Sequence, residues 1–301
     1  MPARPWLPLT AVAVTLLLWA SAFVAIRHLG HDFDPGALSL GRLLVGAVCL
    51  AGAAFATGVL RPTRAELVRL AAIGVLWFAV YNLALNEGEQ RVDAGTASML
   101  LQVSPVFIAV LAAVFLAERF TTWLVLGLAL AFGGVALISL SGTPEGDRDV
   151  IGVALCLLAA LVYSVSVIVQ KPLLVRLSAV QVVWLACTTG AVVCLPFAGD
   201  LARQTADAPV SSVLWLVYLG VFPTAIAFTT YAYALRHMSA SGLGVTTYLV
   251  PPITIVLGLL FLGETPPPLA YVGGALALIG VAVARRRPAA KVDLEREPVS
   301  A

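Results

Sequence analysis

The chain has 301 residues, 60% of them hydrophobic and only 11% charged, with a mean hydropathy of +0.99. A soluble domain carries roughly 25% charged residues, so this composition excludes an ordinary water-soluble fold and points to a membrane protein. The net charge of +2, with no basic stripe interleaved with aromatics, gives no case for a nucleic-acid partner.

A membrane-spanning helix needs about 20 apolar residues. Apolar stretches at 7–27, 36–57, 68–86, 94–116, 122–140, 150–170, 179–198, 211–234, 242–262 and 269–284 predict an all-α polytopic protein with ten transmembrane helices. Arg4, the first apolar run and Ala20-Ser21-Ala22 together mimic a signal peptide with a small-residue cleavage site. The run continues to Ile26 and many spans follow, so it is read as a retained first helix. With a cytoplasmic N-terminus, thirteen Lys and Arg residues fall on the inner side and four (Arg27, Arg91, Arg148 and Arg203) on the outer. This positive-inside bias predicts that both termini are cytoplasmic, with residues 285–301 forming a polar cytoplasmic tail.

Taken along the chain, a few residues stand out against the apolar background. Trp19 lies near the middle of helix 1, away from the interfaces where tryptophans gather, and either lines a cavity or packs between helices. Arg42 sits about two turns into helix 2, where a cation costs about 2.5–3.5 kcal/mol on insertion scales. It is a candidate for meeting a substrate carboxylate; the alternatives are a structural pair with Glu87 or Asp93, or snorkelling to the outer interface. Helix 3 carries Trp77, Tyr81, Asn82, Asn86 and Glu87, most of them on one face. They serve as substrate contacts or as interhelical glue, and Glu87, near the outer mouth, is a weak proton-relay candidate. Pro105 in helix 4 and Pro251 in helix 9 predict bends that are hinges or static kinks, with Gln102, Ser104 and Tyr248 clustered there as further candidates. Tyr163 in helix 6 occupies the same place as Trp19 in helix 1. Glu118 and Glu264, which end helices 4 and 9, are expected in structural salt bridges.

The four cysteines lie inside apolar runs at spacings that match no zinc pattern, and the three histidines are scattered, so no metal site and no cofactor is expected. No GxxxxGK[ST] loop exists for ATP hydrolysis. Gly127-x-x-x-Ala131 and Gly273-x-x-x-Ala277 allow close helix approach, within one chain or across a homodimer.

The chain repeats itself. WASAFVAIR (19–27) returns as YSVSVIVQK (163–171), 144 residues later. From the fourth helix on, the offset is 146: SPVFIAVLAAVFLAERF (104–120) aligns with VPPITIVLGLLFLGETP (250–266), and Gly127, Ala131 and Gly134 align with Gly273, Ala277 and Gly280. Each unit, 7–140 and 150–284, therefore holds five helices. An odd number turns the second unit upside down in the membrane, which is the architecture of secondary transporters.

The segments LLWASAFVAIR and SLGRLLVGA, with a proline-centred fourth helix ending FLAERF, resemble the EamA-type branch of the drug/metabolite transporter superfamily. The resemblance covers residues 10–284. It implies an inner-membrane carrier that exports small metabolites such as amino acids by alternating access, and Thr265 departs from the basic residue that follows glutamate in the first unit. A membrane-embedded enzyme such as a lipid-modifying transferase is the alternative, and would need clustered catalytic groups that the spans do not display. A channel, which usually draws on oligomeric symmetry, is a third reading. The expected partners are a small-molecule substrate and the lipid bilayer.

Overall fold

The computed structural model describes residues 6–115, 122–139, 149–238 and 240–284. Glu118, Arg148 and the tail 285–301 lie outside them. The described residues form helices and no strand. In chain order they are α1 (Trp6–Leu29), α2 (Pro35–Thr57), α3 (Arg64–Ile73), α4 (Tyr81–Arg91), α5 (Ala94–Leu101), α6 (Ser104–Phe115), α7 (Thr122–Ser139) and α8 (Val150–Gln170). There follow α9 (Ala179–Val193), α10 (Ala198–Asp207), α11 (Val210–Leu219), α12 (Ala227–His237), α13 (Ala240–Thr246), α14 (Val250–Leu262) and α15 (Pro268–Ala284). Five continuous rods among them are long and apolar enough to cross a membrane: Trp6–Leu29, Pro35–Ala56, Arg64–Arg91, Val150–Val175 and Val210–His237. A sixth arises if α9 and the helical segment after it, bent by 57°, count as one span.

Two of these rods are joined by π-helical turns. Gly74–Val80 connects α3 to α4, and Gly220–Ile226 connects α11 to α12. They lie 146 residues apart, the repeat offset. A π turn widens the backbone ring and leaves carbonyls poorly matched, which side chains must then satisfy. Asn82 does so after the first turn, donating to the Phe78 carbonyl at 2.7 Å. Thr224 does so in the second, its hydroxyl donating to the Leu219 carbonyl at 2.8 Å.

Bends expected at the prolines are present as breaks. The chain leaves α5 at Gln102 and Val103 and restarts as α6, with Pro105 in its first turn. Likewise α13 passes through a 3₁₀ turn at Thr247–Leu249 into α14, with Pro251 in the first turn. Proline is tolerated there because its missing N–H would have no partner anyway.

The sequence expectation falls short in three places. The third span extends from Arg64 to Arg91 rather than 68–86, because a Thr63–Glu66 capping box starts the helix early and GEQR continues it. The fourth and ninth spans are each two shorter helices. Residues 199–207, which follow the seventh predicted span, belong not to a loop but to α10, which packs on α2 beside the Phe197 ring lodged against Gly36.

Hydrophobicity cannot by itself hold one helix against another in lipid, so polar bonds and close backbone approach do much of that work. Helix α1 is held to α12 by Thr15 Oγ1 and Thr230 Oγ1 at 2.8 Å, and to α11 by Ser21 and Tyr218 at 2.6 Å. Close approach occurs at glycines. Gly46 of α2 faces Gly220 and Thr224; a Cβ on Gly220 would meet Val45 and come within 2.9 Å of the Arg42 carbonyl. Gly190 of α9 faces Gly74 in the same manner, and a Cβ on Gly74 would lie 2.5 Å from Thr189 Cβ and 2.8 Å from the Ala186 carbonyl. Helix α15 packs along α7, where Gly134 abuts Gly273 and Ala277. The Gly273-x-x-x-Ala277 pattern is thus used within the chain.

Candidate functional site

Where α1, α2, α4, α8, α12 and the two helix breaks converge lies a partly open cavity of about 40 Å³. Its wall is mostly apolar, with Ala22, Phe23, Ile26, Leu85 and Val250. Set into that wall are Arg42, Tyr81, Gln102, Ser104 and Thr247. That volume admits a few waters, so a bound metabolite requires the helices to part.

Arg42 is 3% exposed, and its Nε donates to Thr224 Oγ1 at 3.1 Å. The partners expected from sequence are engaged elsewhere. Glu87 accepts from Arg91 Nη2 at 2.6 Å, and Asp93 caps α5 by accepting from the Thr96 N–H at 2.8 Å. Among the described residues no carboxylate comes within 4.0 Å of the Arg42 nitrogens. A guanidinium carries five N–H donors, and the Thr224 hydroxyl takes one of them. Snorkelling does not describe it either, since the residue is enclosed.

Part of the cavity wall is made of rings. Trp19 lies 4.9 Å from Tyr231, 5.5 Å from Phe228 and 6.1 Å from Tyr163, measured between ring centroids. Trp77 packs against the same group, 5.1 Å from both Tyr163 and Phe228. Hydroxyls of Tyr163 and Tyr231 hydrogen-bond at 2.7 Å. The indole Nε1–H of Trp19 is buried and has no hydrogen-bond partner among the described residues. It is a free donor on a residue that lines the cavity.

One residue past Ile26 of the wall stands a charge pair. Arg27 Nε donates to Glu264 Oε1 at 2.8 Å, and Arg27 Nη1 donates to the Glu89 carbonyl at 2.9 Å. Gly263 makes the turn that brings Glu264 there, since its φ of 67° lies in the left-handed region that glycine adopts without strain. This latch ties together the ends of α1, α4 and α14. At the repeat-related place, Lys171 Nζ donates to the Met238 carbonyl at 3.0 Å.

Of the residues singled out from sequence, Trp19, Arg42, Tyr81, Gln102 and Tyr163 line the cavity. Gln102 Oε1 accepts from Thr247 Oγ1 at 3.2 Å, so the two helix breaks are joined across the cavity wall. Trp77 stands behind Trp19 in the ring cluster rather than on the wall. Asn82 bonds back to its own helix. Asn86 bridges to Ser39 Oγ at 2.9 Å. Tyr248 is not on the wall, which its neighbour Thr247 joins instead. Pro105 and Pro251 flank the breaks without lining the cavity. Sequence reasoning missed Phe228 and Tyr231, whose three-residue spacing reads as ordinary helix packing, and Thr224, one polar residue inside an apolar run.

The EamA-like transporter family matches this sequence twice, over residues 6–140 and 150–286. The chain belongs to the EamA-like transporter family. Among its relatives is a probable terminal-alkyne amino-acid exporter of Streptantibioticus cattleyicolor, 41% identical over 92% of this chain and 93% of that protein. An uncharacterized transporter of Bacillus subtilis, YdfC, is 33% identical over 88% of this chain and 86% of its own length. A solved crystal structure shares the fold with a TM-score of 0.63 at 21% identity, covering 92% of this chain and 95% of that one. A relative from Escherichia coli is named an inner membrane transporter, and with the apolar rods this makes the protein a multi-pass transporter of the inner membrane.

Proposed function

We propose that this EamA-family protein exports amino acids with a compact apolar side chain, by alternating access through ten spans arranged as two inverted units with cytoplasmic termini. The observation that carries the substrate class is Arg42, a buried cation on the cavity wall with no carboxylate in contact. The substrate carboxylate docks on its guanidinium, Gln102, Ser104 and Thr247 face the polar end, and Trp19, Phe23, Tyr163 and Phe228 enclose the side chain. The terminal-alkyne amino-acid exporter, 41% identical, supports both the direction and the class of substrate.

Support for the inverted units comes from the glycine crossings, which occur twice at the repeat offset with the same backbone neighbours. In this reading the outer end of the cavity is closed by the Arg27–Glu264 latch and the inner end by the ring cluster. Opening proceeds by rocking at the breaks beside Pro105 and Pro251 and at the two π turns, with one end parting while the other stays shut. Residues 7–140 and 150–284 are the two moving units, and 285–301 is a cytoplasmic tail.

The test is export of L-propargylglycine, a terminal-alkyne amino acid, together with mass-spectrometric profiling of the medium from cells expressing the protein. Wild type enriches the medium in the alkyne amino acid or in other amino acids, and Arg42→Gln at equal membrane abundance does not. Enrichment that is the same in both removes Arg42 from the site.

A further inference from the structure

One ionisable group inside the transporter takes no part in the site described above. Glu89 is 0% exposed, and neither of its carboxylate oxygens has a hydrogen-bond partner among the described residues. It follows Tyr81 and Leu85 at four-residue spacing on α4, so it continues the cavity-lining face by one turn. That turn lies against the latch, because Arg27 Nη1 holds the carbonyl of Glu89 itself. The charged and titratable groups that surround it come from its own helix and five other elements. They are Arg27 of α1, Arg42 of α2, Tyr81 of its own helix, Asp93 at the cap of α5, Cys156 of α8 and Glu264 after α14. None makes an ion pair or hydrogen bond with its carboxylate.

We propose that Glu89 is the proton-binding site of the transporter, and that one proton taken up there from outside is exchanged for each substrate molecule exported. This rests on the reading of the protein as an exporter. An isolated carboxylate anion buried without a donor is among the costliest side-chain states, whereas the carboxylic acid costs far less. The closed latch seen here therefore goes with the protonated form. Loss of the proton creates an anion between two cations. One of these, Arg27, already touches the residue and is held by Glu264 through a pair only 30% exposed on each side. Ionised Glu89 competes with Glu264 for that guanidinium and loosens the outer latch. Protonation from outside, after substrate has left, restores it.

Two measurements separate this proposal from the exporter reading. The first needs no substrate: infrared difference spectra of purified protein recorded between neutral and alkaline pH, where exposed carboxylates are already ionised. Wild type shows the carbonyl stretch of a protonated carboxylic acid that disappears on titration, and Glu89→Gln lacks that band. Its absence from wild type, or its persistence in Glu89→Gln, overturns the proposal. The second uses proteoliposomes and L-propargylglycine. Wild type accumulates the amino acid against its gradient when a pH gradient is imposed, and Glu89→Gln loses accumulation while still exchanging labelled for unlabelled substrate. Accumulation that is unchanged in Glu89→Gln overturns the coupling role even if the infrared band is found. Glu89→Asp, which keeps the acid, restores part of the accumulation and controls for folding. If wild type does not carry the amino acid at all, the substrate reading fails and the infrared result still decides whether Glu89 holds a proton.

Discussion

The two halves of the chain cross one another in the same way and are charged differently. Gly46 lies on Gly220 and Gly190 on Gly74, with Val45 and Thr189, and the carbonyls of Arg42 and Ala186, in matching places. Yet the side chain at position 42 is a guanidinium and its counterpart a methyl. Glu89 likewise corresponds to Leu235, and both are fully buried. Packing points recur because both units must bring backbones together in lipid, where small residues are the means of doing so. Buried charges carry no such requirement, and among the described residues they occur in the first unit alone, as Arg42 and Glu89. Their restriction to the first unit points to work that a single asymmetric ligand needs done, which is binding and release rather than scaffolding.

That contrast is broken most directly at Arg42. Arg42→Gln is expected to abolish export while leaving the protein in the membrane, whereas Ala186→Ser, at the related position in the other unit, leaves export within a small factor of wild type. Both are read as export rate per unit of membrane protein. Next come the shared crossings. Gly220→Val and Gly74→Val each press a side chain against Val45 or Thr189, and overpacking of this kind costs about 1–3 kcal/mol. The two should lower the thermal midpoint of the detergent-solubilised protein by similar amounts. A large drop for one and none for the other would show that the crossings are not equivalent.

A smaller effect is expected at the latch. Glu264→Gln weakens the hold on Arg27, so a cysteine replacing Ala22 on the cavity wall should react faster with a membrane-impermeant thiol reagent applied from outside. No change in labelling rate would mean that the pair does not close the outer end. The smallest effect belongs to Asn86→Ala, which removes the bond to Ser39. Hydrogen bonds between membrane helices average about 0.6 kcal/mol, so stability should fall slightly and export persist. Loss of export there would move Asn86 from glue to substrate contact.

Much of this is legible in the sequence. The repeat offsets, the first, second and sixth spans, and the breaks beside Pro105 and Pro251 follow from apolar run length and proline chemistry. Arg42 stood out because a lone cation in an apolar run is costly. Other features left weaker marks. The π turns carry no residue pattern of their own, since GVLWFAV and GVFPTAI read as plain apolar helix. Helix α10 was hidden because its polar residues look like a loop when the helix before it is taken to continue to 198. Glu89 leaves little mark because GEQR reads as a helix end by composition, and Glu87 lies nearer the apolar run. The four-residue spacing from Tyr81 through Leu85 would have shown it. The Arg27–Glu264 pair joins residues 237 apart, and no local pattern announces a contact of that range.

The central claim is that a single buried cation selects a carboxylate substrate, and its most direct test compares the wild type with Arg42→Gln and Arg42→Lys. Export of L-propargylglycine and of its methyl ester from loaded membrane vesicles would be measured for each. The account predicts that the wild type carries the free acid and not the ester, that Arg42→Lys retains part of this transport, and that Arg42→Gln has none. Equal transport of acid and ester by the wild type, or of the acid by Arg42→Gln, would contradict it.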